Sequence, residues 1–254
     1  MNKFNNLRNI LSRRLFDLMN LKSNDFSSVS LSKDNINMTA IISVYEGDYK
    51  KIEKECSKLG IEVVLYNKKN NKFGLPVKNI GVDAYDKFHY IINNYENLPD
   101  IILFSTDSMF STPKKIKKIK FILDYIDILK NRSGFLTGHI FKIPENEVNF
   151  TLDKRYETPI IPSTIRPFEK WFNHFINKDI NVKDIFVCKK STFAVTKDLV
   201  LKLPKETYKE FLSEIERHSV NGHDSEVPHY FEMAYVELDE NMDWAENLVT
   251  YILK

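Results

Sequence analysis

Between residues 39 and 104 the sequence alternates twice between a short apolar run and a longer charged, amphipathic one, and this alternation restricts the fold more than any other feature. The run TAIISVY at 39–45 is β-branched and nearly uncharged, the pattern of a strand buried on both faces. Glu46, Gly47 and Asp48 break it, and a charged stretch over 49–59 follows, closed by Gly60, where a helix needs a left-handed cap. IEVVLY at 61–66 is the next apolar run and a loop rich in Asn and Lys comes after it. Asn79, Ile80, Gly81, Val82 and Asp83 then open a helix whose apolar face is Tyr85, Phe88, Ile92 and Tyr95; Leu98, Pro99 and Asp100 stop it before a third run, Ile101 to Phe104. Strand, helix, strand, helix, strand with short joints predicts an α/β fold with a mainly parallel sheet flanked by helices. Ligands of such sheets bind beyond the carboxyl ends of the strands, here Tyr45–Glu46, Tyr66–Asn67 and Thr106–Asp107.

A chain of 254 residues with 43% hydrophobic and 13% aromatic residues can build its own core, and one main domain over 37–254 is expected. Residues 1–36 read as a helical extension, with Phe4, Leu7, Leu11, Leu15 and Leu18 on one face, followed by a polar connector. No run approaches the roughly 18 apolar residues of a membrane span, and Arg8, Arg13, Arg14 and Asp17 interrupt any secretory leader. Two isolated cysteines, Cys56 and Cys188, make neither a disulfide framework nor a thiolate zinc site. The expectation is a cytoplasmic protein, with peripheral contact to a membrane surface as one use of the N-terminal helix.

Residues 113–132 carry seven basic side chains against two acidic ones, a local charge of +5. That stretch reads as a solvated helix face or as a contact for an anionic substrate or lipid head group. Nucleic acid is not expected, because the net charge is only +2 and no aromatic residues interleave the lysines. Four prolines at 144, 159, 162 and 167 suggest irregular structure or short strands over 134–166. Helices are expected at 168–175 and at 205–217, the latter started by Pro204, with a strand at 191–195 between them. Eight acidic residues and no Lys or Arg lie between Asn221 and Asn247.

The motifs of P-loop hydrolases, dinucleotide-binding folds, zinc proteases and α/β-hydrolases are all absent. Asp107 follows a buried strand directly: it is a turn residue or a ligand for Mg²⁺ or Mn²⁺ shared with a diphosphate. Asn79, Gly81 and Asp83 read as turn chemistry, with Asp83 capping the next helix, or as a binding constellation. The six histidines show no ligand spacing. Glu226 and Glu232 lie on one acidic helical segment, where a buried carboxylate would serve as a general base.

The runs at 64–68, 79–83 and 88–100, continued by the strand to Phe104, together with Phe193–Lys197, Pro204–Leu212 and His229–Tyr235, resemble a family of glycosyltransferase-like proteins. Its most specific block is Tyr-Ile-Ile-x-Asn-Tyr-x-x-Leu-Pro-Asp, here 90–100. The resemblance implies a single variant glycosyltransferase A-type domain that binds a nucleotide-sugar at the strand ends. It places Tyr45, Asn67, Asn79, Gly81, Asp83 and Thr106 at the nucleotide and Asp107 at the position of a metal motif, for Mn²⁺ or Mg²⁺. Glu232 would be the base that deprotonates the acceptor hydroxyl, with Glu226 as the alternative. The function so implied is transfer of a sugar to a surface-glycan, lipid-linked or protein acceptor; the other readings are a non-catalytic sugar- or nucleotide-binding scaffold and a nucleotide-sugar hydrolase or phosphotransferase.

Overall fold

The computed structural model describes residues 37–69, 73–124, 126, 134–137, 140–144, 150–155, 157–176, 184–188, 192–220 and 223–234, all within one compact unit, Ile36–Glu240. The expected N-terminal helix and the end of the acidic tail lie outside the described residues. The first half contains β1 (Met38–Val44), α1 (Tyr49–Leu59), β2 (Glu62–Asn67), a two-residue β3 (Leu75–Pro76), α2 (Ala84–Asn94), β4 (Ile101–Thr106) and α3 (Pro113–Asp124). After α3 come β5 (Phe135–Thr137), β6 (Ile140–Pro144), β7 (Lys154–Arg155), β8 (Thr158–Pro159), α4 (Phe168–Ile176) and β9 (Asp184–Cys188). The last elements are β10 (Phe193–Thr196), α5 (Lys197–Val200), α6 (Lys205–Arg217) and α7 (Glu226–Ala234).

Six strands form the main sheet in the order β3-β2-β1-β4-β10-β5, and β10 alone runs against its neighbours. The parallel centre follows from composition, since Ala40, Ile41, Ile42 and Val44 of β1 and Ile101 to Phe104 of β4 are all buried. Helix α1 starts where the Asp48 carboxylate accepts from the amides of Lys50 and Lys51 at 3.0 and 3.3 Å. It ends at Gly60, φ 68°, with Gly60 N–H on Ser57 O and Ile61 N–H on Cys56 O, both 3.0 Å.

Helix α2 buries Tyr85, Phe88, Tyr90 and Ile91, which corrects the face expected from Tyr85, Phe88, Ile92 and Tyr95: Ile92 and Tyr95 are only half-buried. The reason is tertiary: α2 packs on the sheet with one face and on α6 and α7 with the other. Phe88 meets Phe211 at 5.4 Å and Phe231 at 4.8 Å between ring centres. Trp171 extends this aromatic cluster, edge-on to Phe231 at 4.7 Å.

The block at 90–100, the most specific part of the resemblance, builds the turn from α2 into β4. Asn94 Nδ2 donates to Tyr90 O at 2.9 Å, Tyr95 hydroxyl to Leu203 O at 2.7 Å, and Lys197 N–H to Asp100 O at 2.9 Å. The lysines of α3 at 114, 117 and 120 are exposed and those at 115 and 118 half-buried, while Ile119, Ile122 and Leu123 face inward. Among the described residues no helix is long and apolar enough to cross a membrane.

Strand β1 has β2 on one side and β4 on the other, both parallel to it. The chain therefore leaves β1 in one direction and returns on the opposite side, which puts a switch point between the carboxyl ends of β1 and β4.

Candidate functional site

At that switch point the Oδ2 atom of Asp107 accepts three successive backbone N–H groups, from Tyr45 at 2.8 Å, Glu46 at 2.9 Å and Gly47 at 2.8 Å. The loop after β1 and the turn after β4 are thereby joined across the crevice. Three consecutive amides converging on one oxygen form a concave anion site. Gly47 is required by the close approach, since a Cβ there would stand 2.6 Å from Asp107 Cβ. Thr106 hydroxyl pairs with Ser108 hydroxyl at 2.9 Å, within the same turn.

Beneath this edge lies a layer of buried charge. Lys68, the residue after β2, has its ammonium 3.0 Å from Asp86 Oδ1, and neither side chain is exposed to solvent. The same ammonium donates to Ile80 O at 2.8 Å and stands over the rings of Tyr45 and Tyr85 at 5.7 and 5.6 Å. The next residue of α2 after Asp86, Lys87, pairs with Asp83 one turn earlier, both buried, and the Lys87 ammonium lies 5.5 Å from the Phe193 ring centre. Burial lowers the Lys68 pKa against the pull of Asp86. Burial likewise raises Asp86, to about 6, although Lys68 and the Ser43 hydroxyl favour its charged form. Ser105 and Thr192 close the layer on the β10 side, hydroxyl to hydroxyl at 3.1 Å.

Desolvation offsets most of the attraction within a buried ammonium–carboxylate pair, so the two pairs add little net stability. Their position under the carboxyl edge of a parallel sheet marks this edge as the candidate site.

The Asn79–Asp83 block shapes the loop over this layer. Gly81 and Val82 both have positive φ, 63° and 48°. A Cβ on Gly81 would come within 2.3 Å of Ile215 Cγ2, so only glycine lets α6 approach here. Asp83 makes no side-chain cap hydrogen bond; its carboxylate turns instead to Lys87, which corrects the capping role expected for it. Asn67 is buried, its amide donating to Phe73 O at 3.2 Å and its carbonyl accepting from Lys69 N–H at 2.9 Å, so it holds the loop after β2. Asn79 is half-buried at the mouth of the same loop. Tyr45, Asn67, Asn79, Gly81, Asp83, Thr106 and Asp107 thus all belong to the carboxyl edge.

Glu226 stands apart in character. It is fully buried: Oε1 accepts from Leu152 N–H at 2.6 Å and Tyr230 hydroxyl at 2.7 Å, while Oε2 accepts from Ser163 N–H at 2.9 Å and pairs with Arg166 Nε at 2.8 Å. Four donors leave this carboxylate committed to holding segments 150–152 and 163–166 against α7. Glu232 lies in the second half of α7, and its side chain is outside the described set. Nearby, Asp224 bonds His229 at 3.2 Å and Arg155 at 2.9 Å; burial opposes its ionisation, but these two partners prevail and hold its pKa at about 2. His218 Nε2 meets both Glu214 Oε1 at 3.2 Å and Thr164 Oγ1 at 3.3 Å, one nitrogen serving both, which is not a proton-relay geometry.

The sequence of a family described as Protein of unknown function (DUF3431) matches residues 41–238. The chain belongs to that family. No curated protein matches it. The match runs from β1 through α7, so both the carboxyl edge and the Glu226 strut lie inside the DUF3431 region.

A divalent cation at Asp107 was tested against this geometry. Mg²⁺ and Mn²⁺ are held by several oxygens in near-octahedral order. One Asp107 oxygen is already taken by three amides, and no group of three His, Cys, Asp or Glu side chains able to hold a metal occurs among the described residues. Asp107 therefore brings at most its other oxygen, Oδ1, to a cation at this edge.

Lys68, Asp86 and Lys87 are functional candidates that sequence reasoning missed. The available signals were a lysine immediately after an apolar strand and an Asp83/Lys87 spacing of four at the start of a helix.

Proposed function

We propose that the chain is a glycosyltransferase that takes a sugar from a nucleotide-sugar bound over the carboxyl ends of β1, β2 and β4. The observation that carries this reading is the buried Lys68–Asp86 and Asp83–Lys87 layer directly under the switch point, the place where parallel sheets bind nucleotides. The family blocks that resemble glycosyltransferase-like proteins supply the reaction class. Tyr45, Asn79 and the 79–83 loop would line the nucleotide, with Asn67 and Asp83 acting from beneath to position them. Glu232 on α7 would take the proton of the acceptor hydroxyl as the sugar transfers. No step is assigned to a divalent cation; charge developing on the leaving diphosphate would be met by cations and amides of the chain.

The test is a thermal-shift series with nucleoside diphosphates and nucleotide-sugars, followed by transfer assays with glycan and lipid-linked acceptors. A donor present at about 100 times its Kd should stabilise the fold by about 2.7 kcal/mol, roughly 5–10 °C for a domain of this size. Transfer that is lost in Glu232→Gln while donor affinity stays within twofold assigns the base; unchanged turnover removes Glu232 from the mechanism.

A second reading, a sugar- or nucleotide-binding scaffold without turnover, is favoured by the commitment of Asp107 and Glu226 to structural partners. Donor binding without transfer to any acceptor class would select it.

A further inference from the structure

The nest of amides at the end of β1 is an occupied anion site whose occupant belongs to the chain itself. Tyr45, Glu46 and Gly47 precede the Asp48 cap of α1, so these three amides are separate from the helix terminus, which has its own carboxylate. Asp107 is half-buried, in a crevice open to solvent, and tied to the nest by one oxygen. Two ammonium groups flank the turn that carries it. Lys51 donates to Ser111 O at 3.4 Å, and Lys115 to Ser108 O at 3.0 Å and Ser111 Oγ at 3.2 Å. Both cations are held on neutral oxygens, one residue and four residues from the carboxylate's own turn.

We propose that Asp107 is an internal stand-in for a phosphate-bearing ligand: when the ligand arrives, one of its phosphate oxygens takes the three amides and Asp107 is displaced towards solvent. The contact is then autoinhibitory. Three N–H groups and two ammoniums suit a diphosphate better than a single carboxylate, which can use only one oxygen in the nest. The carboxylate has the advantage of being tethered, which gives it a high effective concentration, and the apparent affinity for a free anion falls by the fraction of time the nest stands open. This assigns Asp107 the opposite role to a metal ligand, because it competes with the phosphate instead of bridging to it. The inference does not require that a sugar be transferred, and transfer assays on the same preparation read the transferase proposal separately.

The probe is inorganic pyrophosphate, titrated by calorimetry into the full chain and into Asp107→Asn and Asp107→Ala, with EDTA throughout. Removing the tethered charge should tighten binding by at least about tenfold. Gly47→Ala, whose Cβ would stand 2.6 Å from Asp107 Cβ, should dislodge the same latch by a different route. In the unmodified chain, where folding is not in question, pyrophosphate should shift the ¹⁵N signals of Tyr45, Glu46, Gly47 and Asp107 together. A nucleoside diphosphate and vesicles of phosphatidylcholine with phosphatidic acid, run in parallel, separate a soluble diphosphate from a lipid head group; binding of either through these amides supports the proposal. It is overturned if folded Asp107 variants bind pyrophosphate no more tightly than the original chain. It is equally overturned if bound pyrophosphate leaves the three amide signals unmoved, or if, in a separate titration without EDTA, Mn²⁺ binds the original chain and is lost in Asp107→Asn.

Discussion

Replacing Glu226 by Gln separates a structural strut from a catalytic base more cleanly than any other single change. The carboxylate satisfies two backbone amides, at 2.6 and 2.9 Å, the Tyr230 hydroxyl at 2.7 Å and the Arg166 guanidinium at 2.8 Å. Glutamine keeps the shape but has one acceptor oxygen, so its N–H₂ faces either the Leu152 amide, with the Tyr230 hydroxyl turning to accept, or the Ser163 amide and Arg166. Each buried donor left without an acceptor costs about 1–3 kcal/mol, and the Arg166 pair is lost as well. Arg166 is 29% exposed and recovers part of its solvation, so the total is about 3–5 kcal/mol. For a domain of this size that lowers Tm by roughly 8–15 °C. The assay is reversible denaturation of both proteins by urea at fixed pH, with the change in midpoint read at constant slope. A loss below about 1 kcal/mol would refute the strut. A variant of near-normal stability that had lost transfer would return Glu226 to the catalytic machinery.

Three further outcomes follow from the same geometry. Gly81→Ala meets both a positive φ and a 2.3 Å contact with Ile215, and should cost roughly 2–4 kcal/mol by urea midpoint; Ile215→Ala in the same chain should recover the steric part but not the backbone part. Asp86 has its folded pKa raised from 3.8 to about 6, so its protonated form is favoured by folding. Its contribution is therefore complete below pH 4 and is lost as pH rises through about 6, a slope that Asp86→Asn should abolish; parallel pH–stability curves for the two proteins would contradict this. Cys56 is buried and its thiol is pushed up to about 12 by burial, so iodoacetamide at pH 8 should label it only as fast as the domain opens, as read by peptide mass spectrometry.

The sequence by itself determined the local elements. A strand buried on both faces must be continuously apolar, a helix must be capped, and its C-terminus needs a residue tolerant of positive φ. Those requirements are met by neighbours in the chain, so the runs at 39–45, 61–66 and 101–104, the Gly60 cap and the Lys205–Arg217 helix could be read directly. The placing of Tyr45, Asn67 and Asp107 at one edge was also legible, because parallel strands deliver all their carboxyl ends to the same side. What tertiary structure alone decided is which group meets which. Asp107 reaches amides some sixty residues away, Lys68 finds Asp86 across the β2–α2 connection, and Glu226 ties down Leu152. The antiparallel insertion of β10 beside β4, and the packing of α6 on α2 that sets the buried face of α2, belong to the same class. A carboxylate in a turn looks the same in sequence whether it will hold a cation, a backbone nest or nothing. Its chemistry is fixed by the few donors that packing brings within 3 Å, and packing is a property of the whole chain.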